Sequence, residues 1–179
     1  MFTRMDSSTA EEWQHITEQH MPHIQDMPKR VISMLEQLSQ LTLGFGTDQL
    51  HHALQTATMA RRAGADDEMI LISLIHDIGK VVNVLNHGQI VAEIVKPYVS
   101  GDAYHILRTH QDFQGEHYYQ YMGKPQDLRK QYTSEAWYAK AIEFTDKWDQ
   151  AAFDPSYQTD SLASFEPLIN TFFTMPRAL

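Results

Sequence analysis

The stretch Leu71-Ile72-Ser73-Leu74-Ile75-His76-Asp77-Ile78-Gly79-Lys80 decides how this chain folds. Its apolar residues fall on every side of a helical wheel, which predicts a helix that is buried all round rather than laid on a surface. Such a helix should not end in a charged pair unless something compensates the charge, because burial of an unpaired charge is costly. A metal ion bound by His76 and Asp77 is the simplest compensation. A buried ion pair would need partners of its own.

Length and composition indicate one globular domain. The chain has 179 residues, 42% hydrophobic and 21% charged, and we expect a single domain over residues 1–179. The formal net charge of -9 argues against a nucleic-acid partner, which would need a basic surface. With no cysteine, disulfides, cysteine-type zinc sites, iron–sulfur clusters and thiol nucleophiles are excluded. The N-terminus shows no signal core and no apolar run could span a membrane, so we expect a soluble cytoplasmic protein without a membrane partner.

Helix signals follow one another along the chain, and no segment shows the apolar alternation of a strand, so we expect an all-α fold. Asp48 is a natural N-cap, and Gly64 is a natural residue for ending a helix. A strong helix is expected from Ser134 to about Ala152. The other expected helices start near Thr9, run from Pro28 to Leu41, from Gln49 to Ala63, through the buried stretch, from Gln89 to Lys96, from Ser100 past His110, from Gly115 to Tyr121 and from Ser161 to Phe173.

Two histidines are placed symmetrically about the turn at Gly64. His52 lies twelve residues before Gly64, and His76 lies twelve residues after it. In an antiparallel helix pair, residues at equal distances from the turn lie at the same level. We therefore expect the side chains of His52 and His76 to converge.

A second helical hairpin repeats this arrangement. Its turn is Pro97-Tyr98-Val99-Ser100, with His87 about eleven residues before the turn and His110 about eleven residues after it. The same reasoning brings His87 and His110 to one level. The chain therefore offers two histidine pairs, one from each hairpin.

Carboxylates complete the candidate ligand set. Asp77 stands beside His76, and the expected helix 134–152 offers Asp146 or Asp149. These two aspartates would share one face of a regular helix, so spacing alone does not choose between them. Imidazole with carboxylate suits iron, manganese or zinc.

Four histidines and two aspartates are more ligands than one metal ion needs. Two ions that share Asp77 would use them all. One ion would then be bound by His52, His76 and the far aspartate, and the other by His87 and His110.

The order of these residues resembles the HD-domain superfamily, whose metal ligands run H…HD…D on a helical bundle. The resemblance covers roughly residues 45–155, the expected metal-binding core. Within the superfamily, segments 52–57, 76–81 and 147–149 are similar to myo-inositol oxygenase and the aminohydroxyalkylphosphonate oxygenases. Those enzymes hold two irons in a mixed-valent Fe(II)/Fe(III) state, with the first aspartate bridging. The resemblance chooses Asp149 and implies the metal ligands His52, His76, Asp77, His87, His110 and Asp149.

This resemblance implies a non-haem diiron oxygenase. Such an enzyme uses dioxygen to cleave a C–C or C–P bond next to a hydroxyl-bearing carbon of a small polar substrate. Lys80 would be catalytic and would contact the substrate alkoxide. The segment after His110 occurs where the relatives bind substrate, which suggests Gln114 and His117 as substrate-binding residues. Arg129 is a lesser candidate, as a contact for an anionic group.

The chain departs from the relatives at two places. The phosphonate oxygenases place a tyrosine and a glutamate shortly before the first histidine ligand, and segment 42–48 has neither in that place. The inositol enzyme has a lysine one turn after the last aspartate, where this chain has Phe153. Neither known substrate is therefore implied.

Two other functions fit parts of the pattern. A bimetallic HD phosphohydrolase, using manganese or another divalent metal on a small phosphoester or nucleotide, also carries the His-Asp-x-Gly-Lys sequence. Lys80 would then contact a phosphate. A degenerate HD module used for binding or regulation is a third interpretation, and the apparently complete ligand set argues against it.

Overall fold

A computed structural model describes residues 1–177 of the chain, and every regular element in this range is helical. The predicted all-α fold is therefore confirmed. No helix within this range is both long and apolar enough to cross a membrane. The α-helices are α1 (Ala10–Gln25), α2 (Met27–Leu38), α3 (Gln49–Arg62), α4 (Asp67–Ile75), α5 (His87–Val95), α6 (Gly101–Tyr118), α7 (Tyr138–Glu143) and α8 (Leu162–Phe173).

Helix α4 is the buried centre of the bundle, as its sequence predicts. Asp66 caps its start by accepting a hydrogen bond from the backbone N–H of Met69 at 2.8 Å. Every residue from Met69 to Ile75 is buried, and α4 packs against α3, α6 and α8. Full burial of each large aliphatic side chain in such a helix contributes about 1.5–3 kcal/mol, which fixes the position of the His76–Asp77 pair at its end.

Two antiparallel hairpins, α3–α4 and α5–α6, carry the histidines. Gly64 lies in the turn of the first hairpin, just after α3, at a φ of 77°, a left-handed conformation that glycine adopts without a Cβ penalty. Ser100 caps α6, and it donates hydrogen bonds from its N–H and its hydroxyl to the carboxylate of Glu68 at 2.8 and 2.6 Å. Glu68 thus ties the two hairpin turns together, and the paired histidines lie away from this end of the bundle.

Helix α6 differs from the prediction. A separate helix was expected from Gly115 to Tyr121, but α6 continues through Gly115 to Tyr118, and a 3₁₀ turn follows over Tyr119–Met122. Gly115 is needed for packing rather than for a break, because a Cβ at this position would collide with the ring of Tyr119. The predicted end of α2 at Leu41 was also too late, since the helix ends at Leu38.

The expected long helix from Ser134 to Ala152 is wrong. The α-helical part is α7 alone, and a wider π-helical turn follows over Phe144–Trp148, then a 3₁₀ turn over Asp149–Ala151. A π-turn inserts an extra residue per turn and rotates the residues after it. As a result Asp146 stays partly exposed, whereas Asp149 is fully buried.

Candidate dimetal centre

The first ligand group joins helices α3 and α4 to the irregular segment after α7. The Nε2 atoms of His52 and His76 lie 3.1 Å apart, as their equal distances from Gly64 predict. Asp149 Oδ1 lies 3.2 Å from Nε2 of His52 and 3.3 Å from Nε2 of His76. All three residues are at most 1% exposed. We call His52, His76 and Asp149 the closed group.

The second ligand group is built by the α5–α6 hairpin and by Asp77. The Nε2 atoms of His87 and His110 lie 3.0 Å apart. Asp77 Oδ1 lies 3.0 Å from Nε2 of His87 and 3.8 Å from Nε2 of His110. Gly79 permits this approach, because a Cβ there would collide with the backbone of His87. We call Asp77, His87 and His110 the open group, since His87 borders a cavity.

Asp77 faces both groups at once. Its Oδ1 points to the open group, and its Oδ2 lies 3.5 Å from Nε2 of His52 and 3.4 Å from Nε2 of His76. The donor atoms within each group lie within 4.8 Å of one another. One carboxylate with an oxygen toward each donor set has the geometry of a shared ligand.

All four histidines have the same hydrogen-bonding pattern. Each Nδ1 lies 2.7–2.9 Å from a backbone carbonyl oxygen. In a neutral imidazole the Nδ1–H then donates this bond, and Nε2 carries an unprotonated lone pair. The carbonyls belong to Ala152 for His52, Ser73 for His76, Val84 for His87 and Leu107 for His110.

The remaining polar atoms fit bound cations. Two facing Nε2 lone pairs about 3 Å apart repel each other and cannot form a hydrogen bond, but a metal ion can bind both. Both carboxylate oxygens of Asp149 are buried without a hydrogen-bond partner, and when the imidazoles are neutral in this tautomer the nearby Nε2 atoms have no hydrogen to donate. A buried carboxylate without donors and two pairs of imidazole lone pairs form a donor set that suits metal ions.

The pKa shifts of the protein alone point the same way. Burial lowers the pKa of His76, but the carboxylates of Asp77 and Asp149 outweigh burial and raise it to about 10. Burial raises the pKa values of both carboxyls, yet their cationic neighbours, His76 first among them, hold them well below their usual range. Positive charge between the two carboxylates therefore stabilises the cluster. Bound metal ions would supply this charge.

Lys80 lies beside this cluster in a defined position. Its Nζ donates hydrogen bonds to Asp77 Oδ2 at 2.5 Å and to Gln49 Oε1 at 2.6 Å. Gln49 is fully buried and was missed in the sequence analysis. Its place three residues before His52, on the same face of α3, could have indicated it.

A cavity of about 600 Å³ opens beside the open group. Gln114 and His117, the two predicted substrate-binding residues, both line it, as does Lys80. Their role in binding stays a prediction. The cavity is lined by Leu43, Phe45, Lys80, Val84, His87, Gln111, Gln114, His117, Tyr118, Met122, Gln150 and Phe153.

Arg129 is placed differently from the expectation. It does not line the cavity but pairs with Glu116 at 3.2 Å and with Asp146 at 2.9 Å. Its charge is therefore already matched by two carboxylates, and the structure does not support it as a contact for an anionic substrate group. His117 also contacts Asp146, at 3.0 Å from Nε2 to Oδ1.

Comparison with known protein families identifies the family of this chain. A family model described as myo-inositol oxygenase matches residues 4–143, whereas a search of curated proteins finds no match. The matched range contains Lys80, Gln114 and His117 and ends before Asp149 and Phe153. It also contains five of the six predicted metal ligands, which are His52, His76, Asp77, His87 and His110. The match spans well over half of the chain, and the chain therefore belongs to the myo-inositol oxygenase family.

Proposed function

We propose that the protein is a non-haem diiron oxygenase that uses dioxygen to cleave a C–C or C–P bond next to a hydroxyl-bearing carbon of a small substrate. The observation that carries this proposal is the pair of histidine–aspartate groups that share Asp77 beside a substrate-sized cavity. Membership of an oxygenase family supports it.

The two groups would hold one iron each. His52, His76 and Asp149 would bind the first, His87 and His110 the second, and Asp77 would bind both. When bound, the irons supply Lewis-acid polarisation of a substrate hydroxyl and the electron chemistry that dioxygen needs. The backbone carbonyls that accept from the four Nδ1 atoms fix the ring orientations and direct the Nε2 lone pairs inward.

Lys80 would hold the substrate oxygen. Asp77 and Gln49 each accept one hydrogen bond from its ammonium group, which leaves a third N–H donor on a residue that lines the cavity. A positive charge held there favours a substrate alkoxide over the neutral hydroxyl. Gln114 and His117 would orient the rest of the substrate.

The rival phosphohydrolase is less well supported by the cavity. Phosphate sites commonly present an arginine, whose planar fork binds phosphate oxygens in pairs. Among the described residues that line the cavity, Lys80 is the one lysine or arginine, and its side-chain nitrogen already donates a hydrogen bond to Asp77. This arrangement favours a substrate with a single oxygen near Lys80.

The experiment compares the two reactions in protein purified aerobically without added metal. The oxygenase predicts a mixed-valent diiron EPR signal that changes when heptane-1,2-diol, a simple hydroxyl-bearing probe, is added. The rival predicts hydrolysis of bis(p-nitrophenyl) phosphate with manganese. Manganese-dependent hydrolysis by a protein that lacks the mixed-valent signal would overturn the proposal.

A further inference from the structure

The cavity beside the open group has walls of two kinds. One wall comes from α6, where Gln111, Gln114, His117 and Tyr118 follow one another at helical spacing. The other residues that line the cavity are mainly apolar. The apolar residues come from four separate segments of the chain and are Leu43, Phe45, Val84, Met122 and Phe153.

The apolar surface reaches the metal centre through stacked rings. Phe153 stacks on the imidazole of His52, with ring centroids 4.4 Å apart and planes inclined by 15°. Phe45 stacks on Phe153 in turn, at 5.0 Å and 18°. Phe45 is 48% exposed. The stack therefore extends from a buried ligand of the closed group to the mouth of the cavity.

Exposed apolar side chains continue around that mouth. Leu43, Val84 and Met122 line the cavity, and each is more than two-fifths exposed to solvent. Their chain neighbours Leu85 and Tyr121 are more exposed still, at 87% and 82%. Clusters of apolar side chains that are exposed to solvent commonly mark a binding site. Their contact with water is unfavourable, and a bound ligand removes it.

The polar wall offers neutral hydrogen-bonding groups. The side chains of Gln111 and Gln114 make no hydrogen bond to any other described residue. An amide both donates and accepts, so it binds hydroxyl and amide groups rather than a dense anion. Arg129 is already paired with Glu116 and Asp146, and Nε2 of His117 lies 3.0 Å from Oδ1 of Asp146.

From this lining we infer the substrate class, an inference that rests on the proposed function. The substrate is a hydroxy compound with an extended apolar body and a neutral polar group, rather than a polyol. Phe45 and Phe153 bind the apolar body and determine specificity, and Gln114 contacts the polar group. A polyol would place hydroxyls against these rings, where they lose hydrogen bonds to water without replacement.

The test measures binding rather than turnover. Isothermal titration calorimetry of the metal-loaded protein, without oxygen, gives the Kd of the straight-chain 1,2-diols from butane- to heptane-1,2-diol and of myo-inositol. A buried methylene contributes about 0.8 kcal/mol, or about fourfold in Kd. We expect affinity to rise about 50-fold across the three added methylenes, and myo-inositol to bind more weakly than heptane-1,2-diol.

Three variants and one control identify the residues that cause this dependence on chain length. Phe153→Ser and Phe45→Ser should flatten the dependence of Kd on chain length. Val82→Ser is the matched control, because Val82 is an apolar residue 66% exposed that does not line the cavity. Gln114→Leu should weaken every diol alike and leave the slope unchanged. Phe45 stacks on Phe153, whereas Phe153 itself stacks on the proposed ligand His52, so Phe45→Ser decides the test if Phe153→Ser loses metal.

Several outcomes would overturn the inference. They are an affinity that is flat or falls with chain length, a tighter Kd for myo-inositol than for heptane-1,2-diol, and an equal loss of slope in Val82→Ser. These outcomes are separate from failure of the proposed function. A protein with mixed-valent iron and no chain-length dependence would contradict the substrate class alone, whereas one that binds diols without that iron state would contradict the oxygenase alone.

Discussion

The closed and open groups share Asp77 but are built in different ways. The closed group combines α3 and α4 with Asp149, which lies about 100 residues from His52 along the chain, and it is almost completely buried. The open group comes from one hairpin and Asp77, and His87 borders the cavity. The difference indicates a division of roles, in which a substrate would reach the open group directly and the closed group only through the shared carboxylate.

The largest expected effect is that of Asp77→Ala. Because Asp77 would bind both metals, the variant should fall from two ions per chain to nearly none by elemental analysis. The metal ions would bind only the native state, so their loss should also lower Tm by about 10 °C. Asp146→Ala is the control, since this carboxylate is only partly buried and pairs with His117 and Arg129. Equal metal loss in both variants would contradict a shared ligand.

Single ligands of the two groups should each remove one ion. We expect His110→Ala to lose the ion of the open group and Asp149→Ala to lose that of the closed group, with one ion left in each case. Metal analysis of the purified variants measures this. Loss of both ions in each variant would show that the groups are not separable. If His87→Ala and His110→Ala both leave the metal content unchanged, the six-ligand assignment is wrong.

Lys80→Met should leave both ions in place and weaken binding. A hydrogen bond to a charged group contributes about 1.5–3 kcal/mol, so we expect the Kd of heptane-1,2-diol to rise about tenfold to a hundredfold. Calorimetry on the metal-loaded variant measures the change. Loss of metal with unchanged diol affinity would make Lys80 a support for Asp77 rather than a contact for substrate.

Chelation should remove the two ions at different rates. An ion held by the open group would lie beside His87, which lines the cavity, whereas one held by the closed group would be covered by residues at most 1% exposed. A chromophoric chelator should therefore show a fast and a slow phase of equal amplitude. His110→Ala should lack the fast phase and Asp149→Ala the slow one. A single phase in the unmodified protein would remove the distinction in access.

The smallest expected effect is that of pH on the stability of the metal-free protein. The pKa of His76 rises from 6.5 to about 10, because its two carboxylates outweigh burial. A group with a raised folded pKa stabilises the protein fully below pH 6.5, and this stability is lost as pH rises through about 10. Burial lowers the pKa of His110, so its contribution has the opposite sign.

Thermal unfolding between pH 7 and 10 tests this difference. Tm of the metal-free protein should fall over that window, and His76→Gln should remove most of the fall. The metal-loaded protein should show a smaller fall, because its ions replace the proton. A metal-free protein whose Tm rises with pH would give the wrong sign for the closed group.

The histidine pairs could be predicted from sequence because helix geometry is regular. Equal spacing about Gly64 and about segment 97–100 is enough to bring each pair to one level. The choice of Asp149 could not be made that way, since a regular helix would put it on the same face as Asp146. Only the π-turn over Phe144–Trp148 separates the two, and such turns depend on tertiary packing rather than on local preference.

The cavity walls were the least predictable part. Gln114 and His117 followed from the resemblance, whereas the stack of Phe45 and Phe153 on His52 joins segments about 100 residues apart. No periodicity connects such positions. The sequence did mark Phe153, however, as the place where a lysine of the inositol enzyme is missing.

The most direct measurement is the metal content of the protein expressed and purified without added metal. Two irons per chain, held by the six residues around Asp77, are predicted, and Asp77→Ala prepared in parallel should contain almost none. One ion per chain, or manganese or zinc in place of iron, would contradict a diiron centre.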